Sequence, residues 1–275
     1  MADQKLVFLC GAPQSSGSSL ISWCFLQRGD TDGVLDARND LLEEMPPIST
    51  PYAWCKFTIS SFRLLDVKWH LEDEGWTVKP LLVVRDPRAV FNSLITKPYG
   101  RNGTTAEEPP LRLRMHRVHE DWKLARQNGW PVVRYEGFVQ NAEQTLRETC
   151  EQLGLPWDSA MLTWPKSREQ IAAPGHGSKT FRSSRGGSLA ETLQAEFSTL
   201  ETAKIPLEDL RWMESEFADM LRDLDYPAHA DATRCPPGRA VPSLALSRRS
   251  ERDKKPLVRF QNAVRRTWRK VRGAP

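Results

Sequence analysis

The stretch LVFLCGAPQSSGSSLISWCFLQ, residues 6–27, decides the fold of this chain. Its first five residues form a short apolar run, which is typical of a buried strand. A turn rich in Gly, Pro and Ser follows at residues 11–19, and the apolar side chains after it can be buried together only on a helix. The sequence therefore predicts a strand, a loop and a helix in direct succession.

The same succession recurs along the chain. Three more apolar runs are typical of strands and lie at residues 53–58, 79–84 and 131–135. A helical pattern follows each of them, and further helical patterns lie at residues 111–127 and 207–224. Because strands that alternate with helices form parallel sheets covered on both faces, we expect an α/β fold. In the helix after the third run, Asn141 suits the N-cap and Gly154 the C-cap.

The composition is that of a globular protein. Of the 275 residues, 39% are hydrophobic and 27% are charged, which argues against global disorder. The sequence contains no run of about 18 apolar residues and no signal-peptide pattern, so we expect a cytoplasmic protein. Its five cysteines form no CxxC pair, so neither a zinc site nor a disulfide framework is predicted. We assign most of the ten tryptophans to the core and predict no nucleic-acid partner.

The last part of the chain differs from the rest. Beyond Tyr226 the composition shifts to Pro, Ala, Ser, Arg and Lys, so we predict one domain over residues 1–227 and a tail over 228–275. Residues 248–272 hold 11 Lys and Arg against 2 acidic residues, a charge of +9, which leaves −5 for the remainder of the +4 chain. Apolar residues recur there at helical spacing. The tail is either a cationic amphipathic helix that binds an anionic membrane or polymer, or a disordered segment.

The loop GAPQSSGSS, residues 11–19, has the composition of a phosphate-binding turn. A Gly- and Ser-rich turn before a helix directs backbone N–H groups and the positive end of the helix dipole at one point, which favours a phosphate. A Walker motif would need four residues between its glycines and a lysine after the second. Here five residues separate Gly11 from Gly17, and Ser18 replaces the lysine. The alternative is a tight turn without a ligand.

A second polar motif lies in LLVVRDPRAVFNSL, residues 81–94. Arg85 stands at the end of a predicted buried strand, and Ser93 follows eight residues later in the next helix. Both side chains can therefore face the edge of the sheet where α/β proteins bind ligands. A guanidinium group binds phosphate through two parallel hydrogen bonds, and a serine adds a hydroxyl donor. The alternative is a structural ion pair between Arg85 and Asp86.

These stretches, together with FRSSRGG at residues 181–187 and the strand, turn and helix from residue 132, resemble the PAPS-dependent sulfotransferase family. The resemblance covers roughly residues 5–226. It implies an α/β three-layer sandwich with a central parallel β-sheet, the P-loop NTPase-like sulfotransferase fold. It also implies transfer of a sulfuryl group from 3′-phosphoadenosine-5′-phosphosulfate (PAPS) to a hydroxyl or amine of a small-molecule or carbohydrate acceptor, without a metal.

The resemblance assigns donor-binding roles to particular residues. The 5′-phosphate would lie in the loop formed by Gln14, Ser15, Ser16, Gly17, Ser18 and Ser19. The 3′-phosphate would be bound by Arg85 and Ser93, with Arg182 or Arg185 and Gly186 closing over it. Tyr135 would approach the adenine. These arginines would distinguish the donor from ATP, which has no 3′-phosphate.

Two departures from the family pattern concern catalysis. The family loop carries a Lys or Arg two or three positions before its glycine, whereas this chain has Gln14 and Ser15. Lys56 matches a second family lysine and would supply charge to the transferring group. Many family members have a histidine base two residues later, where Thr58 stands here. We therefore predict that Asp36 is the base.

Alternatives to these roles stay open. Asp36 or Asp40 suits the N-cap of a following helix, and His116 is the reserve candidate for the base. His116 and His119 have helical spacing, for which a polar helix face is a simpler explanation than a metal site. Two rival functions are a nucleotide kinase, which the missing Walker lysine disfavours, and a nucleotide-binding domain without turnover. The acceptor would contact the variable segments 97–110 and 157–177.

Overall fold

The structure, a computed structural model, describes residues 6–37, 42, 44–96, 110–171, 187–194 and 205–228. Its strands are β1 (Leu6–Ala12), β2 (Thr31–Ala37), β3 (Tyr52–Thr58), β4 (Thr77–Val84) and β5 (Val132–Arg134). They form one parallel sheet in the order β2-β3-β1-β4-β5. The chain leaves β1 towards one side of the sheet for β2 and β3, and towards the other side for β4 and β5. Open α/β sheets bind ligands at such a reversal point.

The register brings the carboxyl ends of the central strands to the same edge. Ala12 of β1 lies opposite Thr58 of β3, and Gly11 lies opposite Leu82 of β4. The loop after β1 is therefore flanked by the loops that follow β3 and β4. The backbone N–H of Ile59 donates to the carbonyl of Ala12 at 2.8 Å, which extends the pairing of β1 and β3 into these loops.

Helices cover the sheet. They are α1 (Ser18–Leu26), α2 (Leu64–Asp73), α3 (Pro87–Ile95), α4 (Leu111–Asn128), α5 (Tyr135–Gln140), α6 (Ala142–Leu153), α7 (Ala160–Thr163), α8 (Arg168–Ile171), α9 (Leu189–Gln194), α10 (Leu207–Glu216) and α11 (Ala218–Asp223). On one face Phe8 packs in a buried cluster with residues of α1 and α6, and Phe25 stacks on Trp54 with 4.2 Å between ring centroids. On the other face Leu64 of α2 lies close to Gly11. The predicted three-layer α/β fold is confirmed.

Most helix and strand predictions are confirmed, with three differences. The strand β2 is not among the four apolar runs predicted as strands, and the other two differences lie at β5 and at the last helix. The strand predicted at 131–135 is observed only over β5, because Tyr135 already begins the short helix α5. This helix buries Phe138 completely. The helix predicted at 207–224 is two helices, since Phe217 departs from helical geometry with φ −105° between α10 and α11. The two caps of α6 are confirmed: Asn141 accepts from Gln144 N, and Gly154 is left-handed with φ 69°.

A half-buried carboxylate, that of Glu136, connects the start of α3 with the last described residues. Glu136 Oε1 accepts from the backbone N–H of Asp86 at 2.9 Å, and Glu136 Oε2 accepts from the Tyr226 hydroxyl at 2.6 Å. Arg134 donates to the carbonyl of Leu224 at 2.7 Å, and its guanidinium lies over the Tyr226 ring. The chain segment that ends the domain is therefore bound to the β5–α5 junction and to the motif that begins at Arg85.

Four cysteines are buried free thiols: Cys10, Cys24, Cys55 and Cys150. Burial raises the pKa of the Cys10 thiol to about 12, so it is not a reactive thiolate at neutral pH. None of the helices within the described ranges has the length and apolar character needed to cross a membrane. The tail predicted at 228–275 lies outside the described residues from position 229 onward, so its two interpretations and the domain boundary stay predictions.

Candidate active site

The loop between β1 and α1 contains two left-handed residues. Ser15 has φ 64° and Gly17 has φ 80°, and Gly17 is the N-cap of α1. Ser18 and Ser19 are the first two residues of the helix. The N–H groups of a first helical turn have no partners within the helix, so they point out of its end and suit an anion. The carbonyl of Gly17 accepts from Leu20 N and Ile21 N, which fixes the direction in which α1 begins.

The Ser16 hydroxyl sits in the centre of this loop. The residue is fully buried, and its Oγ has no hydrogen-bond partner within the described part of the chain. A buried hydroxyl without a partner costs about 1–3 kcal/mol. Proteins retain such a cost where another molecule satisfies the group, and phosphate oxygens are suitable acceptors. The loop therefore fits a phosphate group.

Tyr135 closes one side of the loop. A Cβ atom on Gly17 would lie 2.2 Å from Tyr135 Cδ2, so only glycine fits beneath the ring. The Arg85 guanidinium lies 4.9 Å from the centroid of the same ring, and Arg85 Nη1 donates to the carbonyl of Ser15 at 3.0 Å. The structure thus brings together the phosphate loop, Arg85 and Tyr135, which the sequence placed in three separate motifs.

Asp86 is engaged by Arg88 rather than by the residue before it. The Asp86 carboxylate accepts from Arg88 Nε at 2.9 Å and from Arg88 Nη2 at 2.7 Å. It also caps α3 by accepting from the backbone N–H of Arg88. The sequence left open a structural ion pair between Arg85 and Asp86. In the structure Asp86 forms its ion pair with Arg88. Ser93 is half-buried on α3, and its approach to a 3′-phosphate stays a prediction.

Two predicted catalytic residues form an ion pair at the carboxyl ends of β2 and β3. Lys56 Nζ lies 2.5 Å from Asp36 Oδ1 and also donates to Thr58 Oγ1 at 3.3 Å. The Lys56 side chain is 5% exposed and that of Asp36 is 34% exposed. The pairing of β2 with β3 is irregular between Val34 and Ala37. Such bulges redirect side chains, and here Asp36 within the irregular stretch reaches the lysine of the neighbouring strand.

Arg114 of α4 is a site residue that the sequence reasoning did not select. It is buried, and its Nη1 donates to Gln14 Oε1 at 2.6 Å. Gln14 and Arg114 also line a small void of about 10 Å³, which has room for at most one water. The remaining lining residues are apolar: Pro13, Ile59, Leu94, Met115 and Val118. The signal for Arg114 was weak, because α4 contains several arginines and nothing in their spacing distinguishes this one.

The histidines of α4 contact the last two helices. His116 Nδ1 lies 2.5 Å from Glu216 Oε1, and His119 Nε2 lies 2.6 Å from Asp219 Oδ1. Hydrogen bonds from both histidines lower the pKa of Glu216 to about 2. Within the described ranges, no group of three or more His, Cys, Asp and Glu could hold a metal ion. His116 pairs with Glu216 of α10, and its role as the reserve base stays a prediction.

Three predicted 3′-phosphate residues, Arg182, Arg185 and Gly186, lie outside the described residues. Their assignment stays a prediction from the family resemblance. The part of the predicted donor site within the described residues thus consists of the loop at 11–19, Arg85, Ser93 and Tyr135.

Comparison with protein families finds a match that covers part of this edge of the sheet. The sulfotransferase family model matches residues 79–159, which extend from β4 to the residue before α7 and include Arg85, Arg114 and Tyr135. No curated protein sequence matches the chain.

Two solved structures share the fold. The sulfotransferase domain from the curacin biosynthetic pathway is similar at a TM-score of 0.57 and 14% sequence identity, over 82% of this chain and 99% of that one. The sulfotransferase domain from the Synechococcus PCC 7002 olefin synthase is similar at a TM-score of 0.50 and 15% identity, over 82% and 95%. The protein is an α/β domain with the P-loop-like sulfotransferase fold, and the resemblance stated from the sequence is confirmed.

Proposed function

We propose that this protein is a PAPS-dependent sulfotransferase that transfers the sulfuryl group of the donor to a hydroxyl or amine of an acceptor. The phosphate loop carries the proposal. Its buried Ser16 hydroxyl has no partner among the described residues, and the helix start beside it offers further N–H donors. The match of residues 79–159 to the sulfotransferase family, which includes Arg85 but not the loop, supports sulfuryl rather than phosphoryl transfer.

Donor binding would use the residues that the structure gathers around the loop. Ser16 and the first turn of α1 would bind the 5′-phosphate, because hydroxyl and backbone N–H donors converge there. Arg85 would bind the 3′-phosphate with Ser93, and its stacking on Tyr135 holds the guanidinium plane beside the loop. Arg182, Arg185 and Gly186 would complete this part of the site. A 3′-phosphate bound by arginine excludes ATP as the preferred ligand.

Transfer would use Asp36 and Lys56. Bound PAPS supplies the sulfuryl group, and Asp36 would accept the proton that the acceptor hydroxyl or amine releases. The ammonium of Lys56, 2.5 Å from Asp36 Oδ1, keeps the carboxylate in one orientation. Asp36 is one-third exposed, so an acceptor can reach it, whereas Lys56 is almost completely buried. The irregular pairing at Val34 and Ala37 gives Asp36 this position.

The acceptor would be a small molecule or a carbohydrate that contacts the variable segments 97–110 and 157–177. The void beside the loop, lined by Gln14 and Arg114, has a volume of about 10 Å³ and is too small for an acceptor.

Two measurements test the proposal. Calorimetry should show that adenosine 3′,5′-bisphosphate binds at least tenfold more tightly than ATP, because only the bisphosphate carries the 3′-phosphate. Incubation with ³⁵S-labelled PAPS and a panel of apolar alcohols, phenols and amines should then give a labelled product. Equal affinity for ATP and the bisphosphate would remove the donor assignment.

A nucleotide-binding protein without turnover is the second candidate. Two neutral residues favour this candidate. Gln14 stands where the family has a cation, and Thr58 stands where many members have a base. Tight binding of the bisphosphate without label transfer to any acceptor, and without slow release of sulfate from PAPS, would support this candidate. A cytoplasmic location and contact of the tail with an anionic membrane or polymer remain proposals from the sequence.

A further inference from the structure

Glu136 is a polar residue beside the predicted donor site to which the proposed mechanism gives no role. It lies in the first turn of α5, directly after Tyr135, and it is half-buried. Each carboxylate oxygen accepts a hydrogen bond, one from the start of α3 and one from the segment after α11. An ionised carboxylate accepts hydrogen bonds but donates none, so it cannot bind a phosphate itself. Any contribution of Glu136 to donor binding must therefore act through its neighbours.

The hydrogen bond to Asp86 continues the contact between β4 and β5 beyond the point where their pairing ends. The last paired residues of the two strands lie directly before Arg85 and Tyr135. These two residues are in contact through their side chains, since the Arg85 guanidinium lies 4.9 Å from the centroid of the Tyr135 ring. One residue further along each chain segment, the backbone N–H of Asp86 donates to Glu136 Oε1 at 2.9 Å. The contact of Arg85 with Tyr135 is thus enclosed between a backbone pair and the bond of Glu136.

The same hydrogen bond gives the start of α3 a partner from another helix. Asp86 is the N-cap of α3, and its carboxylate accepts from the backbone N–H of Arg88 at 2.9 Å. In a capping box, a glutamate three positions after the N-cap binds the N–H of the N-cap residue. Ala89 stands at that position in α3, and Glu136 of α5 binds the N–H instead. Glu136 therefore fixes the direction in which the chain leaves Arg85.

Tyr226 holds the carboxylate in this position. Its hydroxyl donates to Glu136 Oε2 at 2.6 Å, and the residue is 8% exposed. The Arg134 guanidinium lies 5.0 Å from the centroid of the Tyr226 ring. Burial and the neighbouring Glu136 carboxylate raise the pKa of the Tyr226 hydroxyl above its ordinary value of 10, so the hydroxyl stays a hydrogen-bond donor at neutral pH. A glutamate bound at both oxygens has few rotamers left, which keeps Oε1 directed at Asp86.

We propose that Glu136 is a positioning residue for donor binding, which holds the turn of Arg85 against Tyr135 and so presents the guanidinium to the 3′-phosphate, and that Tyr226 orients Glu136. The inference rests on the proposed sulfotransferase function. Such preorganisation raises affinity, because the chain segment that carries Arg85 is ordered before the ligand binds. Without the carboxylate this segment has more conformations, and fewer of them direct Arg85 at the ligand. The loss should concern mainly the 3′-phosphate, because the 5′-phosphate is assigned to the loop at 11–19 and the first turn of α1.

Substitution of Glu136 and a comparison of two nucleotides test the inference. In calorimetry, Glu136→Ala should raise the dissociation constant of adenosine 3′,5′-bisphosphate about tenfold, and that of adenosine 5′-monophosphate (AMP), which lacks the 3′-phosphate, less than about threefold. A general loss of structure would weaken the binding of both nucleotides alike. Glu136→Gln should stay within about threefold of the wild type, because its amide oxygen still accepts from Asp86 N and its amide nitrogen can donate to the tyrosine oxygen.

Glu74→Ala is the matched control. Glu74 is also half-buried, and its Oε2 also accepts from the backbone N–H of another segment, that of Met45 at 3.3 Å. It lies between α2 and β4, at the amino end of the strand, whereas Glu136 lies beyond the carboxyl ends of β4 and β5. Glu74→Ala should lower thermal stability and leave the dissociation constants of both nucleotides unchanged.

Tyr226→Phe tests the second partner of the carboxylate, because it removes the hydroxyl and keeps the ring. It should weaken binding of the bisphosphate about threefold and leave that of AMP unchanged. The double variant Tyr226→Phe with Glu136→Ala should bind the bisphosphate no more weakly than Glu136→Ala alone, since Tyr226 acts through Glu136. Where Glu136→Ala does not fold, Tyr226→Phe decides: an unchanged ratio of the two dissociation constants would overturn the inference.

The outcomes distinguish this inference from the proposed function. Wild-type affinity for the bisphosphate in Glu136→Ala, or equal losses for the bisphosphate and AMP, would overturn the positioning role of Glu136 and leave the sulfotransferase assignment intact. Absence of both bisphosphate binding and label transfer from ³⁵S-labelled PAPS in the wild type would overturn the proposed function itself.

Discussion

The ring of Tyr135 occupies the space that a side chain at Gly17 would need. Tyr135 Cδ2 and Cε2 would lie 2.2 and 2.3 Å from a Cβ atom on Gly17, and Gly17 also has a left-handed φ of 80°. The phosphate loop and the start of α5 are therefore matched to each other. The Arg85 guanidinium lies over the same Tyr135 ring. The position of the ring therefore also affects the predicted 3′-phosphate site.

Gly17→Ala should weaken donor binding. The new methyl group would displace the Tyr135 ring, and the left-handed conformation would cost about 1 kcal/mol or more. We expect adenosine 3′,5′-bisphosphate to bind at least tenfold more weakly in calorimetry. Gly29→Ala is the matched control, because a Cβ on the exposed Gly29 meets no atom of the described chain within 4 Å. Equal losses in both variants would contradict the role given to the packing of Gly17 and Tyr135.

Arg85→Ala should also reduce bisphosphate affinity. A lost charge-assisted hydrogen bond costs about 1.5–3 kcal/mol, which corresponds to a rise of roughly tenfold or more in the dissociation constant. ATP binding should change less, because ATP lacks the 3′-phosphate. Arg147→Ala removes the same charge from the exposed surface of α6, where Arg147 pairs with Glu143, and should have no effect. The assignment of Arg85 would fail if its variant bound the bisphosphate normally.

Asp36→Asn should abolish most turnover and spare donor binding. Loss of a general base typically lowers the rate by about 10²–10⁴-fold. The matched control is Asp30→Asn, since Asp30 is also 34% exposed and also pairs with a buried cation, Arg28, at 2.7 Å. Both variants should lose thermal stability, but only Asp36→Asn should lose turnover per folded molecule. Should Asp36→Asn retain turnover and His116→Ala lose it, the base is the histidine.

Asp121 gives a pH-dependent contribution to stability. Burial raises the pKa of its carboxyl from 3.8 to about 6, although Arg63 and the backbone N–H of Leu64 oppose the shift. A raised pKa means that the folded state binds the proton more tightly, so this stabilisation is complete below about pH 3.8 and disappears as the pH rises through 6. Two pKa units correspond to about 3 kcal/mol.

Urea unfolding of the wild type and of Asp121→Asn between pH 4 and pH 7 measures this contribution. The difference in the free energy of unfolding between the two proteins should change by up to about 3 kcal/mol, with the wild type losing stability as the pH rises. A pH-independent difference would show that Asp121 keeps its ordinary titration in the folded protein.

Most of the fold could be predicted from the sequence, because four of the strands are nearly continuous apolar runs. Each of these runs is followed by a helical pattern. The runs at 53–58 and 79–84 lie within β3 and β4. The Gly and Ser content of residues 11–19 predicted a phosphate-binding turn after β1. The reason is physical: a strand buried on both faces can hold few polar residues, so its boundaries are visible in the sequence. The break at Phe217 was not visible, because apolar periodicity continues across it.

The candidate site was predictable only where motif residues are adjacent to strand ends. Arg85 and Tyr135 follow strands directly and Gly17 lies in the loop after β1, so the parallel sheet had to bring them to one edge. Arg114 lies within a helix of mixed charge, and only the packing of α4 against the phosphate loop distinguishes it from Arg112. The pairing of Lys56 with Asp36 depends on an irregular stretch in β2, and a local irregularity of that kind leaves no mark in the hydrophobic pattern.

The two hydrogen bonds of the Glu136 carboxylate limit where the protein can be truncated or joined to a fusion partner. One of its carboxylate oxygens binds the N-terminus of α3, and the other binds the hydroxyl of Tyr226, near the end of the described chain. A shortened protein that stops before Tyr226 would leave one oxygen of the half-buried Glu136 carboxylate without its donor, next to the helix that carries Ser93. An expression boundary should therefore lie beyond this tyrosine, and a fusion partner joined at residue 228 would lie close to the hydrogen bond between Tyr226 and Glu136.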